Sequence, residues 1–280
     1  MKLTGTIMMF ALTCLCPVAV FAQIVLVTHA EPQWVFAGEA RQVSVVWRNA
    51  GDQMFAGEIR TRMLQTSSAT VVTIGEAPWK RLQVLPGQTV LESAWLDFPL
   101  VKEETRFVVQ WLDNTHLVMG KTEVLVYPTN LLAELKPLAG GDRALGVFDP
   151  GNELKPLLKA ARVQFEDLED SGIGSFGGRL AIIGPFASRQ HMAGDLADRI
   201  KKLARHGTAV VWILPPADAR ARLMPTFYIV PAGTNVIVVA QAVLLAGLAE
   251  QPPAQLALLE LCRLAMNPAP PVLPTFALQP

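Results

Sequence analysis

Between residues 24 and 127 apolar positions recur with period two, in short runs broken by turn formers such as Asn49-Ala50-Gly51-Asp52 and Pro86-Gly87-Gln88. This alternation predicts strands at Ile24 to His29, Gln42 to Arg48, Glu58 to Leu64, Thr70 to Ile74, Arg81 to Val84, Thr89 to Phe98, Thr105 to Trp111 and Thr122 to Tyr127. Parity selects the buried face: Val43, Val45 and Trp47 fall together, as do Phe107, Val109 and Trp111. So many short strands over residues 23–128 predict a β-sandwich. From residue 129 the pattern changes to helical and strand periods in alternation, which predicts an α/β doubly wound, mainly parallel sheet over 129–266. Helices are expected at Leu131 to Leu138, Asn152 to Ala161, His191 to Arg205, Ala242 to Ala249 and Ala254 to Ala265. Strands are expected at Ala144 to Phe148, Val163 to Phe165, Leu180 to Ile183, Ala209 to Leu214, Phe227 to Val230 and Asn235 to Val239. A Pro-rich tail, 267–280, ends the chain. The change of period and Pro128 place a protease-sensitive link near Tyr127 to Leu131.

The first 22 residues break the sandwich pattern. Lys2 precedes an apolar stretch from Ile7 to Phe21, and Val20 and Ala22 stand at the two positions that a signal peptidase reads, so cleavage after Ala22 and a periplasmic or secreted protein are expected. The stretch is shorter than the ~20 residues that span a bilayer, and no transmembrane segment is expected in the mature chain. Cleavage would remove Cys14 and Cys16 and leave Cys262 alone, with no internal disulfide. Balanced charge, 24 Lys+Arg against 24 Asp+Glu, argues against nucleic acid or an anionic membrane surface as partner.

Residues 23–128 resemble the Ig-like or fibronectin-like domains of exported bacterial proteins. Three segments of the second half carry another resemblance: Leu180-Ala181-Ile182-Ile183-Gly184-Pro185, the helix ending Lys202-Leu203-Ala204-Arg205-His206-Gly207, and Ala209-Val210-Val211-Trp212-Ile213. They make the region similar to a flavodoxin-like or class I glutamine-amidotransferase-like domain. It is closest to the non-catalytic copies attached to bacterial glycoside hydrolases, such as the trimerisation domain of some β-galactosidases. Active members of that family need a Cys on a strand-to-helix turn, activated by a His. Here Pro215-Pro216 follows the corresponding strand, and the periodicity around Cys262 makes it a core residue. The resemblance therefore implies a non-catalytic domain suited to association.

Other chemistry is sparse. Gly172-Ile173-Gly174-Ser175-Phe176-Gly177 matches a dinucleotide-binding spacing but opens no helix, so it reads as a connection between strands. The four His are scattered without ligand spacing, and neither metal nor cofactor is expected. The predicted carboxyl ends of the sheet carry Asp149, Asn152, Glu166, Asp167, Ser188, Arg189 and His191, the place where open parallel sheets bind ligands. Glu166-Asp167-Leu168-Glu169-Asp170 could supply a glycosidase-like carboxylate pair or a solvated loop. Trp47 and Trp111 sit on core parity, whereas Trp34, Trp79 and Trp95 are candidate platforms for sugar rings or packing residues under a loop. The expectation is thus a non-enzymatic exported protein for protein association, including self-association, or carbohydrate recognition. A polysaccharide hydrolase acting through the sheet-edge carboxylates is the alternative.

Overall fold

A computed structural model describes residues 24–140, 145–186, 192, 194–215, 227–233 and 235–268. Residues 1–23, those beyond residue 268, and Ser188, Arg189 and His191 lie outside the described residues.

Strands β1 (Ile24–Val27), β2 (Gln33–Phe36), β3 (Ala40–Asn49), β4 (Phe55–Thr66), β5 (Val71–Val84), β6 (Thr89–Asp97), β7 (Thr105–Leu112) and β8 (Val118–Tyr127) come first. They form a three-stranded antiparallel sheet, β1-β3-β6, and a five-stranded sheet, β2-β8-β7-β4-β5, in which β2 runs parallel to β8. One core lies between them. It takes Val43, Val45 and Trp47 from β3, Ala94 and Leu96 from β6, Ile59 from β4 and Phe107, Val109 and Trp111 from β7, as their parity requires. Trp47 and Trp111 meet edge to face at 6.1 Å, and the Trp111 indole donates to Thr122 Oγ1 at 2.9 Å. Buried Asn49 fastens the β3–β4 turn: its Nδ2 donates to the Gln53 and Val84 carbonyls, and its Oδ1 accepts from Gly51 N–H.

The remaining elements are α1 (Leu135–Ala139), β9 (Leu145–Phe148), α2 (Lys155–Ala160), β10 (Phe165–Asp167), β11 (Leu180–Ile183), α3 (Leu196–Arg205), β12 (Ala209–Leu214), β13 (Phe227–Ala232), β14 (Asn235–Gln241) and α4 (Pro252–Met266). The strands order as β10-β9-β11-β12-β14-β13, with β13 antiparallel to β14. Leu135, Leu158, Leu258 and Leu259 of α1, α2 and α4 belong to the core on one face, and Ile200 and Leu203 of α3 to the core on the other.

The expected succession of an Ig-like β-sandwich and a doubly wound, mainly parallel α/β sheet is overturned. Of the described residues 45% are in strands and 21% in helices, and the larger sheets are mixed. Double winding needs a helix in each crossover. Between β10 and β11 the chain has only a 3-10 turn at Ile173–Ser175, because glycines at 172, 174, 177 and 178 disfavour a helix. Phe176 and Ile173 cover the sheet there instead. A Cβ on Gly146 of β9 would meet the Phe176 ring at 2.8 Å, so this packing needs glycine beneath it. The first half departs from the expected run of short strands through the parallel β2 and through β5, whose 14 residues merge two predicted strands.

Candidate functional site

Two carboxylates of the acidic segment at the end of β10, Asp167 and Glu169, are committed to internal bonds. Asp149, 1% exposed, accepts the backbone N–H groups of Glu153, Leu154 and Lys155 at 3.1, 2.7 and 2.9 Å and thereby caps the start of α2. Its own N–H donates to Glu169 Oε1 at 3.1 Å. Lys155 Nζ lies 2.6 Å from both Asp167 Oδ2 and Glu169 Oε1. Burial opposes the charge on Lys155, but its bonds to the two carboxylates outweigh that and raise its pKa. Burial likewise opposes the Asp167 charge, and the Lys155 bond prevails and lowers its pKa. Asn152 occupies the left-handed region at φ 51 and closes the turn by donating its N–H to the Asp149 carbonyl. Glu166 pairs through its backbone with Gly146. The sheet edge thus brings Asp149, Asp167 and Glu169 around Lys155, a residue that sequence reading overlooked because a lone lysine in a helical run carries no signal of its own. Among the described residues no group of three or more His, Cys, Asp or Glu could hold a metal ion. Cys262 is wholly buried in α4, and burial pushes its thiol pKa up.

The three tryptophans diverge. Trp34, 37% exposed, stands in β2 and stacks on Tyr127 at 5.7 Å. Trp79 and Trp95 line one groove of about 360 Å³ at the open side of the two facing sheets, between edge strands β5 and β6. Thr61, Met63, Ile74 and Asp97 share its walls.

Register shows how β5 builds this groove. Ile59 pairs with Lys80 but Arg60 with Pro78, so Trp79 is an extra residue; Met63 pairs with Gly75 but Leu64 with Thr73, so Ile74 is another. These two bulges re-aim both side chains into the groove. Pro78 lies in an edge strand, the part of a sheet that tolerates proline. Trp79 is braced edge-on against Trp111 at 4.9 Å, and Lys80 Nζ lies 5.3 Å from the centroid of its ring. Lys80 also pairs with Glu92 at 2.7 Å and so links β5 to β6. Trp95, 68% exposed, stands on the outer face of β6.

Glu76, also in the groove wall, is held by cations. It accepts from Arg60 Nε at 2.9 Å and from Arg62 Nε and Nη2 at 3.1 and 3.0 Å, and His116 Nδ1 stands 2.9 Å away. The Arg60 bond is the main reason its carboxyl lies below the ordinary value. Asp97 has no hydrogen-bonding or ion-pair partner for its side chain among the described residues.

No family model and no curated protein matches the chain. Solved structures with partial likeness include an alkylpurine DNA glycosylase from Pseudomonas fluorescens, at 13% identity over 38% of this chain and 31% of that one, with a TM-score of 0.29. A β-glucosidase from Listeria innocua matches at 16% identity over 38% of this chain and 16% of its own, again at 0.29. The chain therefore spans less than a third of either protein. Among the described residues no helix is long and apolar enough to cross a membrane.

Proposed function

We propose that this is an exported, non-catalytic protein that recognises carbohydrate through the Trp79–Trp95 groove. The observation that carries the reading is the exposure of Trp95 beside the bulge-presented Trp79. An exposed indole offers a flat apolar face to the C–H groups of a sugar ring, while a free carboxylate such as Asp97 accepts from its hydroxyls. The sheet-edge carboxylates support hydrolysis less well, since Asp149 is taken up by backbone N–H groups and Asp167 by Lys155. A glycan array followed by calorimetric titration tests the reading. At least one polysaccharide class should bind, and Trp95→Ala should weaken it by ~1 kcal/mol or more, as for an aromatic anchor. A blank array overturns it.

Protein association has separate support in the row Val27, Val46 and Leu91, which runs across all three strands of the smaller sheet on its outer face, with Leu91 71% exposed. Sedimentation should then show an assembly that Leu91→Glu disperses. A monomer at all concentrations rejects self-association.

A further inference from the structure

We infer that the groove selects an ammonium-bearing glycan, one built of hexosamines with free amines, over its neutral N-acetylated counterpart. This rests on the carbohydrate reading above and names the substrate class for the same site.

Charge bookkeeping at the groove leads there. Of the carboxylates at hand, Glu76 is neutralised by Arg60 and Arg62, and Glu92 by Lys80. Arg41, on the neighbouring strand, is held by Glu39 at 3.4 Å and by the Phe36 carbonyl. Asp97 is left without a cation among the described residues. It is two residues from Trp95 on the same strand, so the two side chains share one face of the sheet. An indole beside an unpaired carboxylate is the pairing that holds an ammonium group: the ring quadrupole attracts the charge, and the carboxylate takes its N–H bonds. The groove already shows the first half of this, with Lys80 Nζ over the Trp79 ring. No cation of the described residues lies over Trp95.

The test is calorimetric titration of the full chain with a glucosamine hexamer, at a pH where its amines are protonated, and in parallel with an N-acetylglucosamine hexamer. The deacetylated hexamer should bind about tenfold more tightly or better, the factor expected for about 1.4 kcal/mol. Asp97→Asn should abolish that preference, bringing the two hexamers to equal affinity, and added salt should erode the preference of the unaltered protein. Equal binding of both hexamers, or a preference that survives Asp97→Asn, overturns the inference and leaves carbohydrate recognition standing. Binding of neither hexamer overturns the inference too. In that case a glycan array separates the two readings, since a hit of another class keeps the groove as a carbohydrate site.

Discussion

Asp149 shows how much one side chain can hold in place. Its carboxylate accepts three successive N–H groups at the start of α2 while nearly sealed from water. Asp149→Ala leaves those donors unpaired and should cost about 1–3 kcal/mol, read as a lower denaturant midpoint with the slope unchanged. The Lys155–Asp167 pair gives a pH dependence whose sign is fixed. Asp167 has a lowered pKa in the fold, so its contribution is complete above the ordinary 3.8 and is lost as pH falls through the lower native value. Lys155 has a raised pKa, so its contribution is complete below the ordinary 10.5 and is lost as pH rises through the higher native value. Thermal melts across pH should therefore show a plateau between these limits. In Lys155→Met the acid-side decline should become shallower, because Asp167 loses the partner that depressed its pKa.

Elements that form a continuous apolar run or a regular apolar period were legible in the sequence. The strands at Leu180–Ile183 and Ala209–Leu214 have the expected bounds, and α4 extends the expected helix at both ends. Strand β2 was missed because four residues beside Pro32 hold too short an alternation, and its place is set by pairing with β8, a partner distant in sequence. β5 was read as two strands because Pro78 looks like a break, whereas a sheet edge tolerates it. That misreading put Trp79 in a loop. The groove itself needs two sheets and two bulges, and no local pattern encodes a meeting of β5 with β6. At this scale Gly146 gives a direct check. Gly146→Ala drives a methyl into Phe176 and should destabilise by about 1–3 kcal/mol, as overpacking does, and Phe176→Leu in the same chain should recover part of the loss in a thermal melt.

On the whole-molecule scale, the segment expected to be an open link between two units is anchored at both ends, with Thr129 and Asn130 exposed between the anchors. Tyr127 and Leu131 are 3% and 5% exposed, the Tyr127 hydroxyl donates to Glu104 at 2.7 Å, and Trp34 stacks on the ring. Limited proteolysis of the native protein should therefore spare Tyr127 and Leu131, and any cut in this segment should fall at the exposed Thr129–Asn130. Phe36 of β2 and Leu125 and Tyr127 of β8 belong to the same core as Leu258 and Leu259 of α4, while their neighbours Val35, Val124 and Val126 belong to the core between the first two sheets. The β2–β8 pair is thus one wall for two interiors. Melting either half would strip cover from the other, so unfolding should be cooperative across the chain: a single calorimetric endotherm, with equal calorimetric and van't Hoff enthalpies. Two resolved endotherms would show that the shared wall does not couple the halves. If it does, residues 24–127 expressed alone would carry Phe36, Leu125 and Tyr127 uncovered, and should need a detergent or a partner to stay in solution.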